Sequence, residues 1–480
     1  MSYVNNFPKT EFGYIPALAL FEKPSVNSGV IGYKWIQYRP ISQISSNGNL
    51  QFTISGTSNY YVNLKNSYLQ IKGQVANIQT QKPITKVDDV ALENLPLQSL
   101  WSQVDLSFQQ KIINSRVGTN YAYKAYIDTI LNNSSDEMLN QLTSQLFIKD
   151  DAKFFDQQIN QGYRLRKTFT AGGKELEMEG PLCLDICQQE RLIINGVDIN
   201  LKFWPNKPAF VMASQREDYY FKINDAVLNV CMVEVSPAIL VGHAAALKES
   251  PALYPYQQSD FKAFCIPSGQ YEHSVDNIFQ GDIPSDLVVG LVSSKAYQGS
   301  YDKNPFNFHN YDCSYCGFFI NGVSTPSQPF QPLYSNEPDK KRGKRAVGES
   351  GAPSERGETG NLPPSERGSS SQTPTATAGS SGNVAYVNSY LSLFGQKYHS
   401  AKNIPISVVE YPFGYCLYKF QVSENAVDEE GENGFVSIPR RGHTRLTLKF
   451  RKPLTEGVTV INYAHFPRIL QIDETRNITV

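Results

Sequence analysis

Alternation of apolar and polar residues at every second position runs through most of this chain. Leu69, Ile71, Gly73 and Val75 share one face of a predicted strand, with Tyr68, Gln70, Lys72 and Gln74 on the other. Val104, Leu106 and Phe108 repeat the pattern, as do Leu182, Leu184 and Ile186. Val197, Ile199, Leu201 and Phe203 follow the Asn195-Gly196 dipeptide, a hairpin signal that predicts a hairpin over Arg191 to Trp204. Toward the C-terminus Leu446, Leu448 and Phe450 alternate with Thr447, Lys449 and Arg451. Thr459, Ile461, Tyr463 and His465 then alternate with Val458, Val460 and Asn462, which predicts a second hairpin over Arg445 to Phe466. One series of strands ends near Ala213 and Tyr219 to Val235 opens another, so the strand programme runs twice.

Helical spacing is confined to connections. Tyr121 to Leu131 carries it, Ser135 to Phe147 follows with Ser135 as the N-cap, and Pro237 to Leu247 starts with proline in its first turn. Asn388 to Phe394 is a fourth short helix. Many short strands with few helices, all in loops, predict an all-β sandwich architecture.

At 480 residues the chain exceeds what one hydrophobic core usually serves, so two core-forming units are expected. The aromatic content, 28 Tyr and 26 Phe against 3 Trp, suits strands separated by structured loops. A formal net charge of -1 argues against dedicated nucleic-acid binding, which relies on neutralising phosphates. Seven scattered cysteines fit a reducing compartment better than a disulfide framework. Met1 to Val30 lacks a basic start followed by a long apolar run, and no 18 apolar residues run together. A soluble, intracellular product without a transmembrane segment is therefore expected. From Asn336 to about Asn383 almost nothing is apolar, and Pro353-Ser-Glu-Arg-Gly357 recurs as Pro364-Ser-Glu-Arg-Gly368. Such composition cannot offset ordering entropy, and it predicts a disordered surface insert.

Gly281-Asp-Ile-Pro284, Leu287 to Val292, Lys295 to Ser300, Asn304-Pro-Phe-Asn-Phe308 and Phe319-Ile-Asn-Gly322 form a series of blocks. The series resembles the major capsid protein of Polinton (Maverick) elements and adintoviruses. Ser99 to Asp105, Tyr123-Lys-Ala-Tyr-Ile127, Gln189 to Asp198, Phe264 to Gly269 and Val460 to Ala464 extend the likeness collinearly over residues 30 to 475. Gln109-Gln110 departs from it, standing where that family commonly carries Asn-Gly, and the polar insert has no counterpart. The resemblance implies a double jelly roll, two eight-stranded β-sandwiches side by side with short helices in loops. The implied division is an N-terminal arm at 1–29, a first jelly roll at 30–216, and a second at 217–480 interrupted by the insert at 336–383. It also implies a homotrimer with a pseudo-hexagonal outline that contacts neighbouring capsomers, a penton protein and minor capsid proteins. The implied location is the virion, with synthesis in the host cytoplasm and assembly there or in the nucleus.

The residues offer little chemistry of another kind. His309-x3-Cys313-x2-Cys316 is the closest approach to a zinc site, but no second Cys pair follows to complete four ligands. It reads as packing, and so does Cys183-x3-Cys187. The six histidines, His243, His273, His309, His399, His443 and His465, are isolated, which argues against a cupin-like enzyme. Neither a nucleophile elbow nor a P-loop is present, and the acidic run Asp428-Glu-Glu430 with Glu432 lacks the calcium-loop pattern. No catalytic residue, cofactor or metal is therefore assigned. Lys340, Lys341, Arg342, Lys344 and Arg345 form a basic cluster that reads as a nuclear-targeting or protease-sensitive segment. In Asn304 to Phe308, Pro305 sets a turn, Asn307 caps it, and Phe306 and Phe308 anchor it in the core or a trimer seam. A carbohydrate-binding attachment sandwich is the main alternative to a capsid subunit, ahead of the cupin-like enzyme.

Overall fold

The computed structural model describes residues 29–45, 48–113, 120–279, 281–334, 385–395, 403–423 and 439–480. Eight strands build the two main sheets of its first half: β1 (Val30–Tyr38), β2 (Leu50–Ile54), β3 (Tyr60–Asn77), β4 (Trp101–Phe108), β5 (Lys111–Ile112), β6 (Leu176–Pro181), β7 (Ile199–Pro205) and β8 (Tyr219–Val235). They form two antiparallel sheets with strand orders β1-β8-β3-β6 and β2-β7-β4-β5. Eight more follow: β9 (Ala252–Ile266), β10 (Glu272–Asp276), β11 (Asp286–Ser293), β12 (Cys313–Ile320), β13 (Val323–Ser324), β14 (Leu417–Gln421), β15 (Thr444–Phe450) and β16 (Val458–Ile472). Their sheets are β9-β16-β11-β14 and β10-β15-β12-β13, the first pair of orders with every number raised by eight. In both halves the chain passes from one sheet to the other at nearly every connection, the winding of a jelly roll. The protein is a double jelly roll.

This winding corrects three expectations. The strand Tyr219–Val235, expected to open the second unit at residue 217, lies between β1 and β3 and closes the first roll. Neither predicted hairpin forms. Asn195-Gly196 does turn, with Gly196 at φ 73°, but Ile193 bridges Val62 while β7 pairs with β2 and β4. Likewise β15 pairs with β10 and β12, whereas β16 pairs with β9 and β11. Sequence neighbours in a jelly roll mostly face each other across the core instead of pairing.

Two tight hairpins do form, β4–β5 and β12–β13, each closed by two residues. Asn321-Gly322 takes positive φ at both positions (50° and 83°), and so does Gln109-Gln110 (45° and 68°). Both turns therefore have the left-handed geometry of type I′, although the glutamines lack the usual chemistry for it.

Alternation held where a strand has one dry face. Leu69, Ile71 and Val75 on β3, Val104, Leu106 and Phe108 on β4, and Leu446, Leu448 and Phe450 on β15 are all buried. Leu182, Leu184 and Ile186 are buried too, but β6 ends at Pro181 and Asp185–Cys187 is a 3-10 turn. Phe318 on β12 meets Phe420 on β14 at 5.7 Å between ring centres, tying together the two sheets of the second roll.

The helices sit in connections. They include α1 (Tyr121–Asn132), α2 (Ser135–Leu139), α3 (Gln161–Thr170), α4 (Pro237–Glu249) and α5 (Val387–Leu391). α2 is shorter than predicted, and its N-cap is Ser134, which forms a capping box with Glu137; a separate 3-10 turn covers Gln141–Gln145. α3 was not predicted, although the Asn160 side chain caps it by accepting from Gly162 and Tyr163 N–H. No described helix is long and apolar enough to cross a membrane.

Gln110 is exposed and holds φ 68°, a conformation that glycine adopts without penalty. Gln110→Gly should stabilise the fold by about 1 kcal/mol, read as a raised denaturation midpoint with an unchanged slope. A lower midpoint would show that the turn is not strained.

Candidate functional site

Helix α1 is apolar nearly all round, and ten of its twelve residues are buried, which places it inside the molecule. Tyr126 stacks on Phe306 of the second roll at 4.2 Å between ring centres and 11° between planes. Tyr123 meets Phe306 edge-on at 5.7 Å and stacks on Tyr297 at 5.6 Å. Two sequence-matched blocks, Tyr123 to Ile127 and Asn304 to Phe308, thus come together at the seam between the rolls. Phe306 and Phe308 are core residues within one chain. The turn is capped by Asn304, not by Asn307: Asn304 Oδ1 accepts from Phe306 N–H at 2.8 Å, and Asn307 Nδ2 reaches across to Asp156 at 3.2 Å.

The same helix carries a charged pair one turn apart. Lys124 Nζ lies 2.8 Å from Asp128 Oδ2 and 3.1 Å from Asp185 Oδ1. Asp185 accepts from both the hydroxyl and the backbone N–H of Ser259 on β9, each at 2.8 Å. The Tyr463 hydroxyl on β16 donates to Asp128 Oδ1 at 2.7 Å and lies 2.9 Å from His465 Nε2. His465 Nδ1 is 2.5 Å from Asp286 Oδ1. This chain of contacts crosses from one roll to the other. Burial alone would depress the Lys124 pKa, yet Asp128 and Asp185 hold it well above the usual range. Burial would likewise lower His465, and Asp286 more than offsets this, so the imidazole's pKa is raised. The hydrogen bonding agrees. A carboxylate can only accept, so once Tyr463 donates to Asp128 the ring must donate from Nε2 as well as from Nδ1, and His465 is an imidazolium.

A second seam lies beside the first. The side chain of Arg166 is buried against Asp150 at 2.9 Å and also donates to Leu92 and Ile148 carbonyls, which fixes the segment after residue 148. That segment docks on the second roll. The Tyr415 hydroxyl donates to the Asp150 carbonyl at 2.7 Å, Lys149 pairs with Glu410 at 2.7 Å, and Phe155 packs edge-on against Tyr415 at 5.0 Å. Gly414 makes this possible: it holds φ 101°, and a Cβ there would lie 2.1 Å from the Phe155 ring.

The residues singled out as candidate ligands do not converge. Cys313 and Cys316 are buried, and burial pushes the Cys313 thiol up to about 12, while His309 accepts from Tyr311 N–H. Cys183 and Cys187 are free thiols, as are the other five cysteines. Among the described residues no three His, Cys, Asp or Glu side chains are grouped to hold a metal ion. The basic cluster of Lys340, Lys341, Arg342, Lys344 and Arg345, the insert 336–383 and the acidic run 428–432 lie outside the described residues. The flanks of the insert are described, and they meet. Leu333 and Ala385 exchange backbone hydrogen bonds of 3.0 and 3.2 Å, and the Tyr334 and Tyr386 rings stack at 5.5 Å.

One exposed surface was not anticipated. β1 is an edge strand, and its alternate residues Ile31, Tyr33 and Trp35 are 60, 64 and 50% exposed, with Trp35 against Tyr68 at 5.4 Å. Large apolar side chains exposed on an edge strand leave unpaired backbone groups and apolar area together in water.

No family model matches the chain. An uncharacterized protein of Caenorhabditis elegans is 22% identical over 474 residues, 95% of this chain and 98% of that protein. Among solved structures, the Sputnik virophage provides a chain that matches with a TM-score of 0.60 at 11% identity, covering 98% of this chain and 93% of that one. The mavirus major capsid protein matches with a TM-score of 0.50 at 10% identity over 98% and 95%. PBCV-1 VP54, fitted into a reconstruction of Sputnik, matches with 0.54 at 10% over 96% and 99%. Of these, the mavirus chain is a major capsid protein, and likenesses at such low identity show a shared fold.

Two outcomes follow from the seams. Because the folded pKa of His465 lies above its ordinary value of 6.5, its contribution is complete below that value and is lost as pH rises through the raised one. The stability gap between wild type and His465→Asn, measured by denaturant unfolding, should be widest below pH 6.5 and narrow above it; a gap flat from pH 5.5 to 9 would remove the imidazolium. Gly414→Ala should cost about 3 kcal/mol through backbone strain and the clash with Phe155, and a neutral result would show that the seam relaxes freely.

Proposed function

We propose that this chain is the major capsid protein of a DNA virus or virus-like transposon of the Polinton and adintovirus type. The observation that carries this reading is the repeated pair of strand orders, which gives one chain two jelly rolls of identical winding. Three such chains around an axis present six similar rolls, and so a pseudo-hexagonal outline. Such capsomers tile an icosahedral shell, with a penton protein at the vertices and minor capsid proteins between them. The subunit works by assembly and carries no catalytic residue or cofactor. A net charge of -1 fits a shell that encloses nucleic acid without reading its sequence.

In a cyclic trimer each subunit offers one patch to a different patch on the next. The Ile31, Tyr33 and Trp35 stripe is one such patch. Residues 1–29 form an arm, the first roll runs through Val235, and the second begins after α4. The insert at 336–383 rises from the closed neck at Leu333 and Ala385 as an outward surface loop. Its basic cluster, Lys340 to Arg345, serves nuclear entry after synthesis in the cytoplasm and is its first protease-sensitive point. The mature protein resides in the virion capsid.

Mass photometry and negative-stain electron microscopy test this reading. The wild-type chain should be a trimer with hexagonal outline, and Trp35→Asp should shift it to monomer with an unchanged thermal midpoint. A wild-type chain that stays monomeric at every concentration overturns it. Replacing 336–383 with a short Gly-Ser linker should leave trimers intact, since lengthening a closed loop costs only about 0.6 kcal/mol per doubling. Loss of trimers on that exchange would place the insert within an interface.

A further inference from the structure

The sheet β10-β15-β12-β13 has a dry face, built by Leu446, Leu448, Cys316 and Phe318, and a wet one. Register sets the wet-face residues of its first three strands in rows. Glu272, Lys449 and Tyr315 form one row, and Asp276, Arg445 and Phe319 form another. Between them runs a row of small side chains, Ser274, Thr447 and Gly317. Two rows with the same order of acid, base and aromatic thus flank a trough that crosses the strands. It belongs to a hollow of about 620 Å³ lined by Asp276, Tyr315, Phe319, Arg445, Thr447 and Lys449.

Folding does not account for this arrangement. Lys449 with Glu272 at 3.1 Å and Arg445 with Asp276 at 2.5 Å are exposed ion pairs, which contribute little to stability. Glycine inside a strand weakens it and marks a close approach to the backbone. At Gly317 the approaching groups are the two rings: a Cβ there would lie 2.9 Å from Tyr315 Cε1 and 3.1 Å from Phe319 Cε2. Both half-buried rings lean over the glycine and keep aromatic surface in water at one end of the trough. Lys449 Nζ stands 5.9 Å from the centre of the Tyr315 ring. The floor beside the rings is hydroxylic, with Ser274 Oγ 3.1 Å from Thr447 Oγ1. Beyond Arg445 the hollow is bounded by His443, whose Nδ1 lies 2.8 Å from Asn277 Oδ1.

These groups together select a class of ligand. An aromatic surface accepts the apolar C–H face of a sugar ring. Hydroxyl, carboxylate, ammonium and guanidinium groups set close together offer both acceptors and donors, which neighbouring sugar hydroxyls require. Two carboxylates balance the two cations, so the trough has no net positive charge with which to hold a polyanion. We propose that this trough binds a neutral oligosaccharide, with a sugar ring against Tyr315 and Phe319. Its hydroxyls bond to Lys449, Arg445 and the floor of Ser274 and Thr447. This assigns a binding role to one sheet face of one chain and does not rest on the capsid reading.

The test uses the fluorescently labelled full chain, in whatever assembly it forms, on an array of neutral, sialylated and sulfated glycans. The best neutral oligosaccharide is then titrated by calorimetry. Neutral glycans should bind, and Tyr315→Ala and Arg445→Gln should each weaken the titrated affinity by about tenfold or more. Tyr315→Phe, which keeps the ring, should retain it. Arg445 is exposed, so its variant should keep the wild-type thermal midpoint and decides the matter if Tyr315→Ala is destabilised. A chain that binds no neutral glycan overturns the proposal. So does binding confined to sialylated or sulfated glycans, or binding that survives Arg445→Gln undiminished.

Discussion

The buried pair on α1, Lys124 with Asp128, is the constraint on which the rest of the molecule depends. A charge taken out of water is tolerated only when its remaining hydrogen-bonding capacity is met by fixed partners. Here those partners come from both rolls: Asp185 from the first, and Tyr463 from the second, with Ser259 of β9 completing Asp185. Sliding one roll past the other would take Tyr463 and Ser259 from the two carboxylates and leave both short of hydrogen-bond donors in an apolar seam. The stack of Tyr126 on Phe306 adds area to the same contact, but the ionic chain gives it a unique register. The two rolls are therefore one rigid body in energetic terms, although their sheets are separate.

Much of the fold was legible because most strands have one wet and one dry face, and the period of two survives in the sequence. Both faces of β16 are buried, one by its own roll and one by α1, and its alternation says little about which side is which. Which strands pair was less legible. A jelly roll sends consecutive strands to opposite sheets, so Asn195-Gly196 turns the chain across the core, where the same dipeptide commonly closes a ladder. The genuine hairpin at Gln109-Gln110 lacks turn chemistry altogether. For the same reason the end of the first roll was misplaced: β8 follows a break in pattern at Ala213, but its partners β1 and β3 lie far back in the chain.

The seam carried a signal that was open to reading. Lysine and aspartate at i and i+4 on a helix otherwise made of Tyr, Ala, Ile and Leu imply a buried pair, since an exposed helix would carry more charge. What could not be read was the other end of each contact. His465 belonged to an ordinary-looking strand, and only cross-strand register sets it against Asp286. The β1 stripe was hidden differently. Ile31, Tyr33 and Trp35 look like any core-facing alternation until β1 is found at a sheet edge with that face outward.

Rigidity at the seam and apolar surface at the edge are linked. A chain of two rolls gains little from an apolar edge if those rolls can rock, because any contact made there would carry the entropy of ordering the hinge. Locking the rolls through a satisfied ionic chain removes that cost before any partner arrives. It also confines tolerance for change to places outside both seams. Leu333 and Ala385, which flank the polar insert in sequence, are hydrogen-bonded to each other, so the fold is closed at that point by its own backbone. The sequence reflects this division, with Tyr123, Tyr126, Phe306 and the Lys124–Asp128 pair gathered where the rolls meet.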